Sequence, residues 1–279
     1  MMRVKKKITV GKIIVYSFLA LAVLTALFPF YFMIVSATAS QGEILNIPPN
    51  LFFSDKLFHN WEVLNQKIDI IRVLFNSLFI TITYTCLTLI LHSMAGFALT
   101  KYEFKGKKFI FLLILMTMMI PAQVLYVPLF ELMNNMGWAN SYQAVILPGL
   151  ANAFGIFLMR QNMMAFPISL IEAARIDGCG EFGIFTRITL PNMKPALGAL
   201  AIYMFMTQWN SFMWPLIILS TKDMYTFPVA LAVLDGMAWK KDYGVIMLGT
   251  TIAVLPIALM FLFMQKHFVA GIMGGAIKE

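Results

Sequence analysis

The segment Ser169–Pro195, which reads SLIEAARIDGCGEFGIFTRITLPNMKP, decides how the rest of this chain is organised. It contains two arginines, two glutamates, one aspartate and three glycines, although 60% of the whole chain is hydrophobic. Charged side chains are costly inside a bilayer, and long apolar runs flank this segment on both sides. We therefore expect it to be a folded polar element that lies outside a membrane.

The composition of the chain is that of a membrane protein. Only 12% of its 279 residues are charged and its mean hydropathy is +0.81, whereas soluble domains contain about 25% charged residues. Several uncharged runs reach the ~20 residues that a helix needs to cross a bilayer. Because lipid cannot pair with backbone polar groups, such runs are expected to be helical. The predicted fold class is an all-α polytopic membrane protein.

Six transmembrane helices are predicted from the apolar runs. A basic N-terminal segment, residues 1–12, precedes a membrane domain at 13–264, and a tail at 265–279 follows it. The basic start resembles a signal peptide, but its apolar run is longer than the ~7–15 residues of such a peptide. We therefore expect an uncleaved first helix. The predicted spans are 13–35, 73–99, 109–130, 142–159, 197–219 and 244–264.

The distribution of basic residues predicts the orientation of these spans. Fifteen of the 21 lysines and arginines fall in the two termini and in the loops after the second and fourth spans. Positive charge collects on the cytoplasmic side of membrane proteins, so both termini and the 169–195 loop are predicted to be cytoplasmic. Topology thus explains the net charge of +8, and nucleic acid is not an expected partner.

Cysteine and histidine usage gives no sign of a metal site or of a disulfide framework. Cys86 lies in an apolar run and Cys179 in the polar loop, so they form no C-x-x-C pair. The three histidines are scattered along the sequence. We expect two free thiols and no bound metal.

The 169–195 loop contains the signals of two short helices. Ser169 and Glu172 fit the S-x-x-E capping box, and Gly178 stands where a left-handed residue ends a helix. A second helical piece is expected at 181–189. The run from Gly178 to Gly183 matches G-x-G-x-x-G, but that motif binds dinucleotides only between a strand and a helix. These glycines are therefore interpreted as an elbow.

Two functions are compatible with such a loop. It is either a solvated connection between helices or a docking element for a soluble partner. For docking, the apolar patch would consist of Ala173, Ala174 and Ile176. Its polar rim would consist of Glu172, Arg175 and Asp177.

The loop resembles the EAA loop of the permeases of ATP-binding-cassette (ABC) importers. Positions 172–178, EAARIDG, and 188–191, ITLP, carry the resemblance, with Cys179 where alanine is usual. Other pieces resemble the sugar-importer, MalG-like branch. They are 76–78 (NSL), 95–99 (AGFAL), 104–106 (FKG), 120–121 (IP), 127–129 (VPL), 209–216 (WNSFMWPL), 269–271 (VAG) and 275–278 (GAIK).

The resemblance implies specific partners and no enzymatic activity in this chain. The EAA loop, between the fourth and fifth spans, would be the coupling helix for two cytoplasmic ATPase subunits, which bind ATP and Mg²⁺. A second, different permease subunit and an extracytoplasmic solute-binding protein would complete the importer. The chain itself contains no G-x-x-x-x-G-K-[ST] phosphate loop. The expected docking residues are Glu172, Ala173, Ala174, Arg175, Asp177 and Gly178.

The substrate pathway is predicted from uncharged polar and aromatic residues within the spans. These groups suit a sugar, yet hydrogen bonding between helices or plain packing is an equal alternative. Competing classes are an ABC permease for a polyol, glycerol phosphate or anionic glycan, a membrane-embedded enzyme, and an adaptor without a pathway. The spans lack central charges, which argues against an ion-coupled carrier. The candidate pathway residues are Gln123, Asn152, Tyr203, Gln208, Trp209 and Asn210.

Overall fold

A computed structural model describes residues 10–236 and 242–273, and within these ranges every regular element is helical. The α-helices are α1 (Val10–Ser36), α2 (Gln41–Leu45), α3 (Leu57–Lys67), α4 (Ile70–Lys101), α5 (Lys107–Thr117), α6 (Tyr126–Asn135), α7 (Tyr142–Ile146), α8 (Ala153–Met164), α9 (Ile168–Ile176), α10 (Glu181–Gly183), α11 (Leu190–Asn192), α12 (Lys194–Trp209), α13 (Met213–Ile218), α14 (Phe227–Gly236) and α15 (Tyr243–Met273). Three 3-10 turns lie at Ala122–Leu125, Leu147–Gly149 and Lys222–Met224, and Ile184–Thr189 is π-helical.

Three of the described helices are long and apolar enough to cross a membrane. They are α1, α4 and the Tyr243–Phe263 part of α15, and they coincide with the first, second and sixth predicted spans. Two bent helix pairs would raise the number to five. The helix pair α5 and Ala122–Asn135 bends by 91°, and the pair Tyr142–Gly149 and α8 bends by 46°.

The helices at the third and fourth predicted spans are therefore bent rather than straight. Pro121 lies at the first bend, and Pro148 lies in the 3-10 turn just before the second. A proline removes a backbone donor and stops a regular helix. The fifth predicted span, 197–219, is divided between α12 and α13. The total of six spans remains a prediction.

The chain forms two compact units. The first unit takes in the chain up to Lys67 together with Leu234–Ala253. Its core includes Val35 and Leu64, each with 0% of its surface exposed. The buried amide of Asn60 donates to the carbonyls of Ala37 and Ala39, at 2.9 and 3.1 Å. The connection after α1 is thus a folded element.

The second unit, Ile68–Val233 with the described residues from Val254 onward, is built around α4. Helices α8 and α12 both pack on α4 and also contact each other. Gly96 of α4 allows α8 to come this close, since a Cβ atom on Gly96 would lie 2.9 Å from Cβ of Met159. The centre of the packing consists of Ile80, Met159, Met163, Leu200 and Met204.

Two polar side chains of α4 stabilise the break before α8. The Tyr84 hydroxyl donates to the carbonyl of Gly149 at 3.1 Å, and Nε2 of His92 lies 2.9 Å from the carbonyl oxygen of Leu150. A helix that breaks at membrane depth frees such carbonyls, and neighbouring helices must satisfy them. These two contacts provide that compensation.

The connection after α13 contains the apolar helix α14. Phe227 and Val229 are completely buried. The apolar run FPVALAVL, which is set between polar residues, accounts for this helix.

Candidate docking helix and pathway residues

Helix α9 is the helical core of the predicted docking loop. It begins at Ile168, directly after Pro167, which occupies the N-cap position with φ −62° and ψ 128°. Proline holds φ near −65° and restricts the residue before it to extended backbone. Ser169 therefore lies inside the first turn and is not the cap. The predicted Ser169–Glu172 capping box is wrong, and among the described residues no side chain caps α9.

The end of α9 confirms the predicted role of Gly178. This residue has φ +78°, a left-handed conformation that glycine adopts at little cost. The amide of Gly178 donates to the Arg175 carbonyl at 3.1 Å, and that of Cys179 donates to the Ala174 carbonyl at 2.9 Å. This pair of bonds is the Schellman motif. The glycine elbow turns at Gly178.

One later glycine of the elbow makes room for a side chain. A Cβ atom on Gly183 would lie 2.8 Å from Sγ of Cys179. Gly180 precedes α10 with the extended values φ −68° and ψ 156°. In the described chain the element before this run is the helix α9, as predicted, so the G-x-G-x-x-G match lacks the strand that a dinucleotide site needs.

The surface of α9 divides by helical period. Ile171 and Ala174 are buried, at 0% and 7% exposed, and belong to the core. Ile176 is 86% exposed, and Glu172 and Ala173 are also exposed. The prediction that Ala174 lies on an outer patch is therefore wrong, because residues three apart share one helix face and here that face points inward.

The predicted docking residue Arg175 forms an ion pair across the elbow. Its Nε donates to Oε1 of Glu181 at 2.7 Å and its Nη2 to Oε2 at 3.1 Å. The hydroxyl of Tyr102 donates to the same Oε2 at 2.5 Å. The bonds from Arg175 and then Tyr102 lower the pKa of Glu181. The other two predicted docking residues, Asp177 and Gly178, remain exposed at the end of the helix.

Sequence reasoning missed Tyr102 and Glu181 as partners of the loop. The opposite charges of Arg175 and Glu181, one on each side of the turning glycine, were the available signal. Nothing in the local pattern pointed to Tyr102, which lies on a different loop, after α4. Burial first, and then the bond to Glu181, raise the pKa of its hydroxyl.

Three of the six predicted pathway residues keep exposed surface. Gln123 lies in the 3-10 turn between α5 and α6. Tyr203 is 41% exposed on α12, and its ring centroid is 4.5 Å from that of Phe154. Asn210 follows α12, and its Nδ2 donates to the carbonyl of Met206 at 2.8 Å.

Two of the other three predicted pathway residues have a structural explanation. Asn152 caps α8, because its Oδ1 accepts from the amide of Gly155 at 3.1 Å. Trp209 is only 3% exposed and lies parallel to Phe205 at 5.9 Å. Of the two alternatives, stacking on a sugar or packing, the structure shows packing for Trp209. Gln208 beside it is half-buried.

These observations define a class of protein: a helical membrane protein with bent pairs of apolar helices and an exposed short helix on a polar loop. The family model described as "Binding-protein-dependent transport system inner membrane component" matches residues 89–274, and the chain belongs to that family. The match includes α9 and both sets of residues predicted to form the docking site and the pathway. The chain is therefore a permease component of a transport system in the membrane.

Similar proteins extend over the whole length of this chain. The arabinooligosaccharides transport system permease protein AraQ of Bacillus subtilis is 37% identical over 100% of both chains. The lactose transport system permease protein LacG of Rhizobium radiobacter is 37% identical over 94% of this chain and 95% of its own. The sn-glycerol-3-phosphate permease UgpE of Brucella abortus is 28% identical over 94% and 96%.

A solved structure supports the fold. A chain of a bacterial ABC transporter involved in the import of the acidic polysaccharide alginate superposes with a TM-score of 0.82. The comparison covers 96% of this chain and 100% of that one, at 20% sequence identity. At this identity the similarity establishes a shared architecture and carries no conclusion about the substrate.

Proposed function

We propose that this chain is one of two permease subunits of an ABC importer for a sugar or oligosaccharide. The observation that carries the proposal is the 37% identity, across the full chain, to a permease named for arabinooligosaccharides. The lactose permease relative, at 37% identity, agrees with it. Permeases named for glycerol phosphate are less similar, at 28% identity.

The exposed face of α9 is proposed to dock on a cytoplasmic ATPase. Ile176 offers an apolar side chain that is 86% exposed, and Glu172 and Asp177 supply charge beside it. Apolar anchors with a polar rim are typical of specific interfaces. ATP and Mg²⁺ would be bound by two such ATPase subunits and not by this chain. The chain would supply no catalytic residue.

A second permease subunit is proposed to complete the pathway. Apolar side chains at and near the break between α5 and α6 are strongly exposed, among them Met119 at 81% and Val127 at 70%. Gln123 lies among them, and in the proposed pathway it would donate to and accept from sugar hydroxyls. Tyr203 and Asn210 are the other exposed candidates. An extracytoplasmic binding protein would deliver the solute to the side opposite α9.

Reconstituted transport tests this function. The complete importer, with its partner permease, ATPase and binding protein, is placed in proteoliposomes, and uptake of labelled arabinooligosaccharide, lactose and glycerol 3-phosphate is measured. We expect uptake of a sugar that needs both ATP and the binding protein. Uptake of glycerol 3-phosphate alone would establish the alternative substrate class. ATP hydrolysis without any uptake would point to an adaptor.

A further inference from the structure

We propose that two consecutive residues, Lys101 and Tyr102, are positioning residues that hold the two ends of α9 and transmit its movement to α4. The inference rests on the proposed function, because it assigns α9 as the docking helix. It adds a connection within the permease: the route by which a push on α9 reaches the transmembrane helices.

Lys101 holds the start of α9. Its Nζ donates to the carbonyl oxygen of Phe166 at 2.6 Å and lies 5.6 Å from the centroid of the Phe166 ring. Phe166 is 6% exposed, and Pro167 follows it immediately before the helix. A charge-assisted bond of this length is stronger than a neutral one. It ties the entry of α9 to the last residue of α4.

Tyr102 holds the other end of α9. Its hydroxyl donates to Glu181, the residue that Arg175 of α9 grips with two bonds. The guanidinium of Arg175 also lies 6.0 Å from the centroid of the Tyr102 ring. Side chains from α9 and from the end of α4 therefore meet at the Glu181 carboxylate.

Further contacts hold the loop after α4 in place, so it can support α9. Nζ of Lys107 donates to the carbonyl of Tyr102 at 2.8 Å and to Glu103 at 2.9 Å. The Tyr102 ring meets Phe97 edge-on, with centroids 5.6 Å apart. Phe97 in turn lies 5.4 Å from Phe185 of the π-helical segment. Through Phe97, Tyr102 is thus connected to the buried apolar core of this unit.

The geometry predicts what the two anchors do. A helix held at one end can pivot, whereas a helix held at both ends moves with its support. Because α4 packs against both α8 and α12, a displacement of α9 would shift α4 and its two neighbours together. Removing either anchor deletes one side-chain hydrogen bond and leaves the buried apolar core in place. We therefore expect losing an anchor to affect coupling more than folding.

The test uses the complete importer in lipid nanodiscs and proteoliposomes. Lys101→Met removes the first anchor, and Tyr102→Phe removes the second while keeping the ring. Hydrogen–deuterium exchange of a peptide covering 168–176 reports whether α9 is held. The number of solute molecules imported per ATP hydrolysed reports coupling. Lys105→Met is the control, because it removes an exposed lysine of the same loop that takes no part in the described contacts with α9.

We expect the double variant to exchange several-fold faster in α9 and to import several-fold less solute per ATP, with the control like the wild type. Unchanged exchange in the double variant would overturn the anchoring, whatever the transport result. Faster exchange with an unchanged import ratio would overturn the coupling role. If the wild-type importer carries no solute, the proposed function fails, and the exchange measurement still decides the anchoring.

Discussion

The imidazole ring of His92 on α4 occupies the space that a Cβ atom on Gly155 of α8 would fill. His92 is 1% exposed, and its Nε2 faces the carbonyl of Leu150. The methyl group of Met204, on α12, lies 2.8 Å from the same Cβ position. Helices α4, α8 and α12 therefore meet at Gly155. Because this glycine has no Cβ atom, the bulky polar ring of His92 fits between them.

Gly155→Ala is expected to destabilise the permease by roughly 1–3 kcal/mol, the usual cost of forcing extra volume into a packed core. The new methyl group overlaps the His92 ring, which cannot move away without losing its contact with Leu150. Thermal unfolding of the purified protein in detergent measures the loss.

Two further variants test the cause of this destabilisation. His92→Ala added to Gly155→Ala should recover part of the lost stability, because the colliding ring is gone. Gly42→Ala is the matched control, since among the described residues no atom lies within 4 Å of its Cβ position. A Gly155→Ala protein that unfolds at the wild-type temperature would contradict the packing.

The sequence predicted those parts of the fold that depend on local composition. Helices α1, α4 and α15 follow from uninterrupted apolar runs, and the turn at Gly178 follows from a glycine after a helical segment. The contact between His92 and Gly155 was not predictable, because these residues are distant in the chain and no local rule pairs them.

Two local predictions failed at the docking loop for reasons that lie outside the pattern used. Ser169 and Glu172 have capping-box spacing, but Pro167 sets an earlier start and moves Ser169 into the helix. Ala174 belongs to the EAA pattern, yet the packing of Ile171 into the core fixes which face points inward. Helix orientation depends on tertiary contacts that a single segment does not contain.

Gly178→Val is expected to destabilise the loop through backbone strain alone. The residue has φ +78°, and within the described chain no atom lies within 4 Å of its Cβ position. A left-handed conformation costs an ordinary residue about 1–2 kcal/mol, and asparagine less. Gly178→Asn should therefore keep most of the uptake that Gly178→Val loses. Equal uptake by both variants, measured in membrane vesicles, would show that the strain is unimportant.

Asn76→Leu is expected to cost roughly 1–3 kcal/mol, the penalty for unpaired buried polar groups. Asn76 is 0% exposed and donates to the carbonyls of Asp223 and Tyr225, at 2.8 and 3.0 Å. It also accepts from the hydroxyl of Tyr142 at 2.7 Å. Tyr142→Phe removes only that last bond and should cost less, about 0.5–1.5 kcal/mol. Thermal unfolding that ranks the two variants in the opposite order would contradict this network.

The hydrogen bonds at Glu181 predict that the amide exchange of α9 is independent of pH over a middle range. Arg175 first, and then Tyr102, lower the pKa of Glu181. The contribution of ionised Glu181 to holding α9 is therefore present above the ordinary glutamate pKa, and it is lost as pH falls through the lowered value. Burial first, and then Glu181, raise the pKa of Tyr102. The hydroxyl therefore keeps its proton as pH rises, until pH passes the raised value.

Amide exchange of α9, corrected for its intrinsic pH dependence, should accordingly stay flat from about pH 6 to 9. It should accelerate only in more acidic or more alkaline solution. Glu181→Gln removes the acidic carboxyl, so this variant should show weaker protection on the plateau and no acidic limb. A wild-type profile that changes steadily between pH 6 and 9 would contradict the assignment.

Ile176→Asp is expected to abolish uptake while the permease still folds and inserts. The side chain is 86% exposed, so a carboxylate there costs the permease little stability, but it would have to lose its hydration in an apolar ATPase cleft. Binding of the purified ATPase to permease in nanodiscs measures the docking, and thermal unfolding measures the fold. Leu170→Asp is the matched control, because this residue of α9 is also exposed, at 47%, and lies outside the predicted apolar patch. It should leave uptake and ATPase binding unchanged. Ala174→Leu should behave in the opposite way to Ile176→Asp. Because Ala174 is buried, a larger side chain there should lower the unfolding temperature before it affects the docking surface. Normal ATPase binding by Ile176→Asp would refute docking through this face.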